Sequence, residues 1–172
     1  MKAIAEVTEF QRTHQVRIMP PAPDALKKKI HDAVSWRAFA LYEGRGGMRG
    51  HEIEDWSLAE ADVLQPMDCG TIVQDHRVCL TTNLSCFGPG TLELWVEPHR
   101  VTVCGPAASA KLDRTGEKSS QITRKDWIFR SHELSAEVDP AAVTVRFNGP
   151  AMHILLQRAV AVPRHAELVH AA

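Results

Sequence analysis

The sequence has almost no net charge and few cysteines. Its 172 residues carry 20 Lys and Arg against 21 Asp and Glu, which gives a formal net charge of -1. Because nonspecific binding to phosphates or anionic lipids needs a cationic excess, we expect neither nucleic acid nor membrane among the partners. The four cysteines, Cys69, Cys79, Cys86 and Cys104, form no C-x-x-C pair and are too few to hold a small secreted scaffold. We therefore expect reduced thiols.

Long apolar runs are also missing. The N-terminal stretch MKAIAEVTEFQRTHQVRIM contains no uninterrupted apolar segment ahead of a small-residue cleavage site, and no run is long enough to cross a bilayer. We therefore expect a cytoplasmic protein. With 44% apolar residues, the chain is suited to one ordinary domain with a small accessory element.

The accessory element is predicted to be an α-helical hairpin over residues 24–66, after a flexible N-terminal arm, residues 1–23. Three prolines precede Asp24, the expected N-cap of a first helix, and apolar residues then recur every three or four positions as far as Gly44. A second, shorter apolar stripe runs from Ile53 to Leu64 and ends before a proline.

Between these helices, the stretch RGGMRGHEIEDW, residues 45–56, has the composition of a phosphate loop or a metal site. However, its glycines follow a helix and no lysine beside Ser or Thr accompanies them. His51 lacks the second histidine that a zinc helix needs. We therefore interpret the glycines as a turn, Asp55 and its acidic neighbours as partners of the helix N-terminus, and Trp56 as a packing residue. No metal, cofactor or catalytic residue is predicted anywhere in the chain.

Beyond Pro66 the apolar period changes from about 3.6 to 2, which indicates β-strands. Six strands are predicted, with the sequences VCLTTNL, LELWV, RVTVCG, IFRSHEL, VTVRF and MHILL. Short turns separate them, as in an antiparallel sandwich. The exception is the long polar segment 106–125. Trp95 lies out of phase with its neighbours, so it faces outward, either beneath the hairpin or available to other proteins.

The order of these strands, from VCLTTNLSCF through TLELWVEPHRVTVCG to FNGPAMHILLQRA, resembles the α-crystallin domain of small heat shock proteins. The resemblance spans residues 71–159, and Ser85, Cys86 and Gln157 depart from the family's pattern. The fold class that it implies is an all-β antiparallel, immunoglobulin-like sandwich over residues 67–159 with a C-terminal tail, residues 160–172. The hairpin resembles a small bacterial helical domain of unknown function, whose pattern Arg37, Tyr42 and Glu60 also fill.

The resemblance also implies roles for particular residues. A groove for clients or for a partner's tail is expected between two strands, and its residues would be Leu92, Leu94, Val96, Val143, Val145 and Phe147. The tail motif for such a groove would be Val160 and Val162, unless these valines extend the last strand. Arg130 is either a solvated strand residue or an ion-pair donor that is buried or lies at a dimer contact. Segment 106–125 is the candidate for a strand exchanged between subunits.

The function implied is that of an ATP-independent holdase of the stress response, a homo-oligomer, at least a dimer, that binds partly unfolded client proteins without catalysis. An alternative is a non-catalytic interaction module of the co-chaperone type, which binds one defined partner. An enzyme is not expected, because no nucleophile or ligand set can be named.

Overall fold

The computed structural model describes residues 14–108 and 127–159, which form three layers. A helical hairpin covers one face of a five-stranded sheet, and the other face packs on a four-stranded sheet. The two sheets form a β-sandwich, so the predicted fold class is confirmed. In the described part of the chain, no helix is long and apolar enough to span a membrane.

The hairpin consists of helices α1, Pro23–Gly44, and α2, Glu52–Val63. Asp24 was expected to be the N-cap, but the cap is Ala22 and Asp24 lies in the first turn. The reason is that Pro23 has a φ preset for a helix and no N–H to lose, so the helix starts two residues earlier. After α1, Gly46 and Gly47 adopt φ values of 77° and 73°. This left-handed conformation, which glycine tolerates, turns the chain toward α2.

All six predicted strands are present, with ends that differ from the sequence estimate by a few residues. They are β4 (Arg77–Asn83), β5 (Gly90–Glu97), β6 (Arg100–Pro106), β7 (Trp127–Glu133), β8 (Val138–Asn148) and β9 (Ala151–Arg158).

Three short strands were not predicted: β1 (His14–Ile18), β2 (Leu64–Pro66) and β3 (Cys69–Val73). The five-stranded sheet has the order β1-β5-β6-β7-β2, and the four-stranded sheet has the order β3-β4-β9-β8. Strands β1 and β2 pair in parallel with β5 and β7, so the sandwich is not wholly antiparallel.

Two of these strands lie inside segments for which the sequence predicted no strand. Residues 14–18 of the expected flexible arm are an ordered strand, because the open edge of β5 satisfies their backbone groups. Likewise, residues 64–66 leave the hairpin and join the sheet beside β7.

Two apolar cores result. The first lies between the sheets and is built from alternate residues of β4, β5, β6 and β9. The second lies between the hairpin and the five-stranded sheet, and its members are Leu26, Ala33, Val34, Ala59, Val63, Trp95, Cys104 and Phe129. Trp95 is thus covered by the hairpin rather than available to other proteins, which settles the alternatives left by the sequence.

Candidate functional site

The six residues predicted to line a groove come from β5 and β8 and meet at one apolar layer. Leu92, Leu94 and Val96 are buried between the sheets. The side chains of β8, Val143, Val145 and Phe147, are half-buried and pack against the same core. The structure thus brings both sets together, but the β5 set lies beneath the surface. Their role in binding a client or a tail remains a prediction.

Strand β1 occupies the edge of β5 that such a groove would offer. Val16 pairs with Leu92 and packs against the inter-sheet core, and Ile18 pairs with Leu94. The N–H of Met19 donates to the carbonyl of Leu94 at 2.8 Å and extends the pairing by one bond. Any other segment that pairs with this edge must therefore replace β1.

Arg130 lies on β7, paired with the fully buried Val103, and is itself half-buried. Its guanidinium donates to the carbonyl of Phe129 at 3.0 Å. No acidic partner of Arg130 is found among residues 14–108 and 127–159. Its role at a dimer contact remains a prediction. Val160, Val162 and most of segment 106–125 lie outside the described residues, so their roles remain predictions too.

Beside Arg130 a cavity of about 510 Å³ opens at one end of the sandwich, among Met67, Asp68, Cys86 and Phe87. Its lining mixes apolar and neutral polar side chains with one cation and one acid. Within the part of the chain that the structure describes, no three His, Cys, Asp or Glu side chains are grouped to hold a metal ion.

The hairpin loop contains a cluster of ion pairs. Arg45 pairs with the carboxylate of Asp55, which is 3% exposed, and lies 3.5 Å from Glu54. His51 Nδ1 lies 2.9 Å from Glu54 Oε2. The hydrogen bond to His51, together with the charge of Arg45, lowers the pKa of Glu54. These four charged groups have partners within the loop, which favours a structural role.

Two further residues of the loop also have local contacts. The N–H of Gly50 donates to the carboxylate of Glu52 at 3.1 Å, and this bond is the main cause of a lowered pKa for Glu52. The ring of Trp56 lies 5.4 Å from the ring of His31 on α1, so Trp56 joins the two helices.

The sequence did not reveal a polar cluster beneath the hairpin, centred on Glu93. Lys29 Nζ lies 2.6 and 2.5 Å from the two carboxylate oxygens of Glu93, and Trp95 Nε1 donates to the same carboxylate at 3.2 Å. The ammonium also lies 5.7 and 5.1 Å from the ring centroids of Trp95 and Trp127. Glu93 and Trp95 alternate with the core residues of β5, so the sequence does place both on the outer face of the strand. A position on an outer face by itself predicts solvent exposure and does not predict a buried ion pair.

Cys104 completes this cluster. Its Sγ lies 3.9 Å from Glu93 Oε2. Burial, and then the charge of Glu93, raise the pKa of the Cys104 thiol to about 12. A thiol with this pKa is protonated at neutral pH and is a poor nucleophile. The cluster therefore fastens the hairpin to the sheet and is unsuited to covalent chemistry.

Comparison with known proteins gave matches in structure alone. No family model matches the chain, so the resemblance of the hairpin to the bacterial domain is not confirmed. No curated protein matches it significantly.

Among solved structures, heat shock protein 16.0 from Schizosaccharomyces pombe is 10% identical, with a TM-score of 0.43 over 60% of this chain and 74% of that one. A small heat-shock protein from Xylella fastidiosa is 18% identical, with a TM-score of 0.40 over 60% and 96%. A small heat shock protein from Synechococcus phage S-ShM2 is 18% identical, with a TM-score of 0.37 over 62% and 97%. At these identities and scores, the matches assign neither a family nor a function to the chain.

Proposed function

We propose that this chain is an ATP-independent holdase that binds partly unfolded proteins and slows their aggregation, without catalysis. The observation that carries the proposal is the exposed apolar surface of the hairpin. Six of the nine large apolar side chains found exposed among the described residues lie between positions 36 and 58: Trp36, Phe39, Met48, Ile53, Trp56 and Leu58. Such a surface on a folded protein is suited to contact with other apolar chains. The order of the strand motifs in the sandwich resembles that of the α-crystallin domain of small heat shock proteins, and this resemblance supports the same role.

In this proposal the hairpin makes the first contact with a client. Ile53 is 85% exposed and lies in the first turn of α2, while Phe39 is 49% exposed on α1. Neither residue belongs to the second core, so contact with a client leaves the packing of the hairpin intact. The groove between β5 and β8 takes part only when β1 has left the β5 edge. Homo-oligomers and a cytoplasmic location are part of the same proposal.

Light scattering of a heat-labile client protein tests the function. The wild-type chain should suppress scattering equally with and without ATP at a few-fold molar excess. The double variant Phe39→Ser/Ile53→Ser should suppress it several-fold less, with an unchanged circular-dichroism spectrum. A double variant at exposed strand and turn residues, Thr144→Ala/Glu137→Ala, is the matched control and should behave as the wild type. No suppression by the wild type would refute the proposal.

One observation favours a second candidate, an interaction module with one defined partner. Strand β1 fills the β5 edge within the same chain, so this edge is not open to arbitrary segments. A module would protect none of several unrelated clients and would retain one protein from a cell extract in stoichiometric amount. A holdase would protect most of the clients.

A further inference from the structure

Arg130 is a half-buried cation that faces the space between the two sheets. It alternates along β7 with Phe129, which belongs to the core beneath the hairpin, so Arg130 points to the opposite side, toward the four-stranded sheet. Its paired residue on β6, Val103, belongs to the inter-sheet core and agrees with this direction. None of the ion pairs among residues 14–108 and 127–159 includes Arg130. Its guanidinium thus lacks the acidic group that usually compensates a cation for lost hydration.

The cavity beside Arg130 is large enough for a small organic molecule. Its volume of about 510 Å³ lies within the range of roughly 300–1,000 Å³ that is typical of ligand sites. Met67 and Phe87 line it, and both belong to the inter-sheet core, with only 5% and 4% of their surfaces exposed. The cavity therefore places an apolar wall next to one cation.

Other polar residues of the lining are engaged within the chain or face solvent. Thr82 Oγ1 donates to the carbonyl of Asp68 at 2.8 Å, and Asn83 Oδ1 accepts the N–H of Ser85 at 2.8 Å. Asp68 itself is exposed, so water weakens the effect of its charge on a bound molecule. Arg130 therefore determines which charge the cavity favours.

We propose that this cavity binds a small carboxylate with an apolar body, such as the anion of a medium-chain fatty acid. The carboxylate accepts two parallel hydrogen bonds from the guanidinium of Arg130, because the two planar groups match in geometry. The hydrocarbon part lies against Met67 and Phe87 and is removed from water. A monoanion balances the single guanidinium, whereas the second charge of a phosphate ester would stay uncompensated beside an apolar wall.

This site is separate from the surface proposed to bind clients. None of the exposed apolar residues between positions 36 and 58 lines the cavity. Binding of a carboxylate therefore does not depend on holdase activity, and either proposal can fail without the other.

Cys86 gives a local readout of binding, because it lines the cavity and is half-buried. Cys79 is half-buried as well but does not line the cavity, so it is the matched control. Millimolar octanoate should slow the alkylation of Cys86 by iodoacetamide several-fold and leave that of Cys79 unchanged, as measured by peptide mass analysis. Octanamide, which has the same chain without the charge, should protect Cys86 far less. No protection by octanoate, or equal protection by the two compounds, would overturn the proposal.

Variants of the two charged lining residues test the role of the guanidinium. Arg130→Gln should weaken octanoate binding by about tenfold, because a charge-assisted hydrogen bond is lost. Arg130→Lys keeps the charge but not the two parallel donors, so it should retain part of the affinity. Asp68→Asn should not weaken binding, since it removes a negative charge from the cavity. Circular dichroism checks the fold of each variant. Wild-type affinity in a folded Arg130→Gln would contradict the proposal.

Two other occupants of the cavity would give different results. If residues 110–124 filled it, octanoate would protect Cys86 only after these residues had been removed. If Arg130 paired with an acid of a second copy, Arg130→Gln would lower the mass of the protein in solution, and octanoate would not protect Cys86 in the wild type. Either result would exclude a carboxylate site in the full chain.

Discussion

Lys29 of α1 and Glu93 of β5 form a largely buried ion pair that joins the helical hairpin to the sheet, with 26% and 11% of the two side chains exposed. The two residues are 64 positions apart in the chain. The carboxylate also accepts a bond from Trp95. This pair is therefore a polar contact inside an otherwise apolar interface.

Removing one member should destabilise the protein, because the other charge stays partly buried without its partner. We expect Glu93→Gln to lower the free energy of unfolding by about 2 kcal/mol. The control is Arg37→Ala, which breaks the pair between Arg37 and Asp62, whose side chains are 45% and 51% exposed, and should cost less than about 1 kcal/mol. Urea denaturation measures both. Equal costs for the two variants would contradict a special role for Glu93.

The thiol of Cys104 should be inert in the folded protein. Its pKa of about 12 leaves almost no thiolate at pH 8, and its side chain is buried. Iodoacetamide labelling followed by peptide mass analysis should modify Cys79, which is half-buried, at least tenfold faster than Cys104. Unfolding in guanidinium should equalise the rates. Because the folded pKa is raised, the stability from the protonated thiol is present below pH 9 and is lost as the pH rises toward 12.

The loop carboxylate Glu54 should titrate differently without His51. Its folded pKa lies below 4.5, so its contribution to stability is present above the unfolded pKa and is lost as the pH falls through the folded pKa. In His51→Ala the main cause of this lowering is gone, so the pKa of Glu54 should rise toward its ordinary value. NMR titration of the side-chain carboxyl carbons gives the result. Glu52, whose main partner is the N–H of Gly50, should move far less; an equal shift at both would contradict this assignment.

Strand β1 should be more weakly attached to its sheet than the long strands β5, β6 and β7 are. It is five residues long, it contacts the inter-sheet core mainly through Val16, and it is not joined to β5 by a hairpin. We expect Val16→Asp to detach it and to raise hydrogen exchange at the amide of Met19 at least tenfold, since this amide bonds to Leu94. Gln15→Asp, at an exposed residue of the same strand, should leave that exchange near the wild-type rate. Unchanged exchange in Val16→Asp would show that backbone pairing alone holds the strand.

The sequence predicted those elements whose side chains repeat with a regular period. Leu92, Leu94 and Val96 alternate along β5, and the six strands with such a pattern were found near their observed ends. Strands β1, β2 and β3 were missed because each has five residues or fewer and becomes a strand only by pairing with a neighbour.

Sites that depend on tertiary packing could not be predicted from the sequence. Phase placed Trp95 on the outer face of β5, but it could not show that Lys29 would lie over its ring. The pairing of Arg45 with Asp55 was equally hidden, because composition alone made this loop look like a ligand site. Both contacts depend on which side chains are brought together by the tertiary fold, and a single sequence does not contain that information.

The attachment of the hairpin at both ends has a mechanical consequence. The chain enters α1 from β1 at one edge of the five-stranded sheet and leaves α2 into β2 at the opposite edge. The two helices thus span the sheet as a strap fixed at both sides. A pulling force applied between residues 14 and 66 would be carried by the sheet, with the parallel pairs β1–β5 and β2–β7 loaded in series with each other. The helices would come under tension only after one of these pairs had separated.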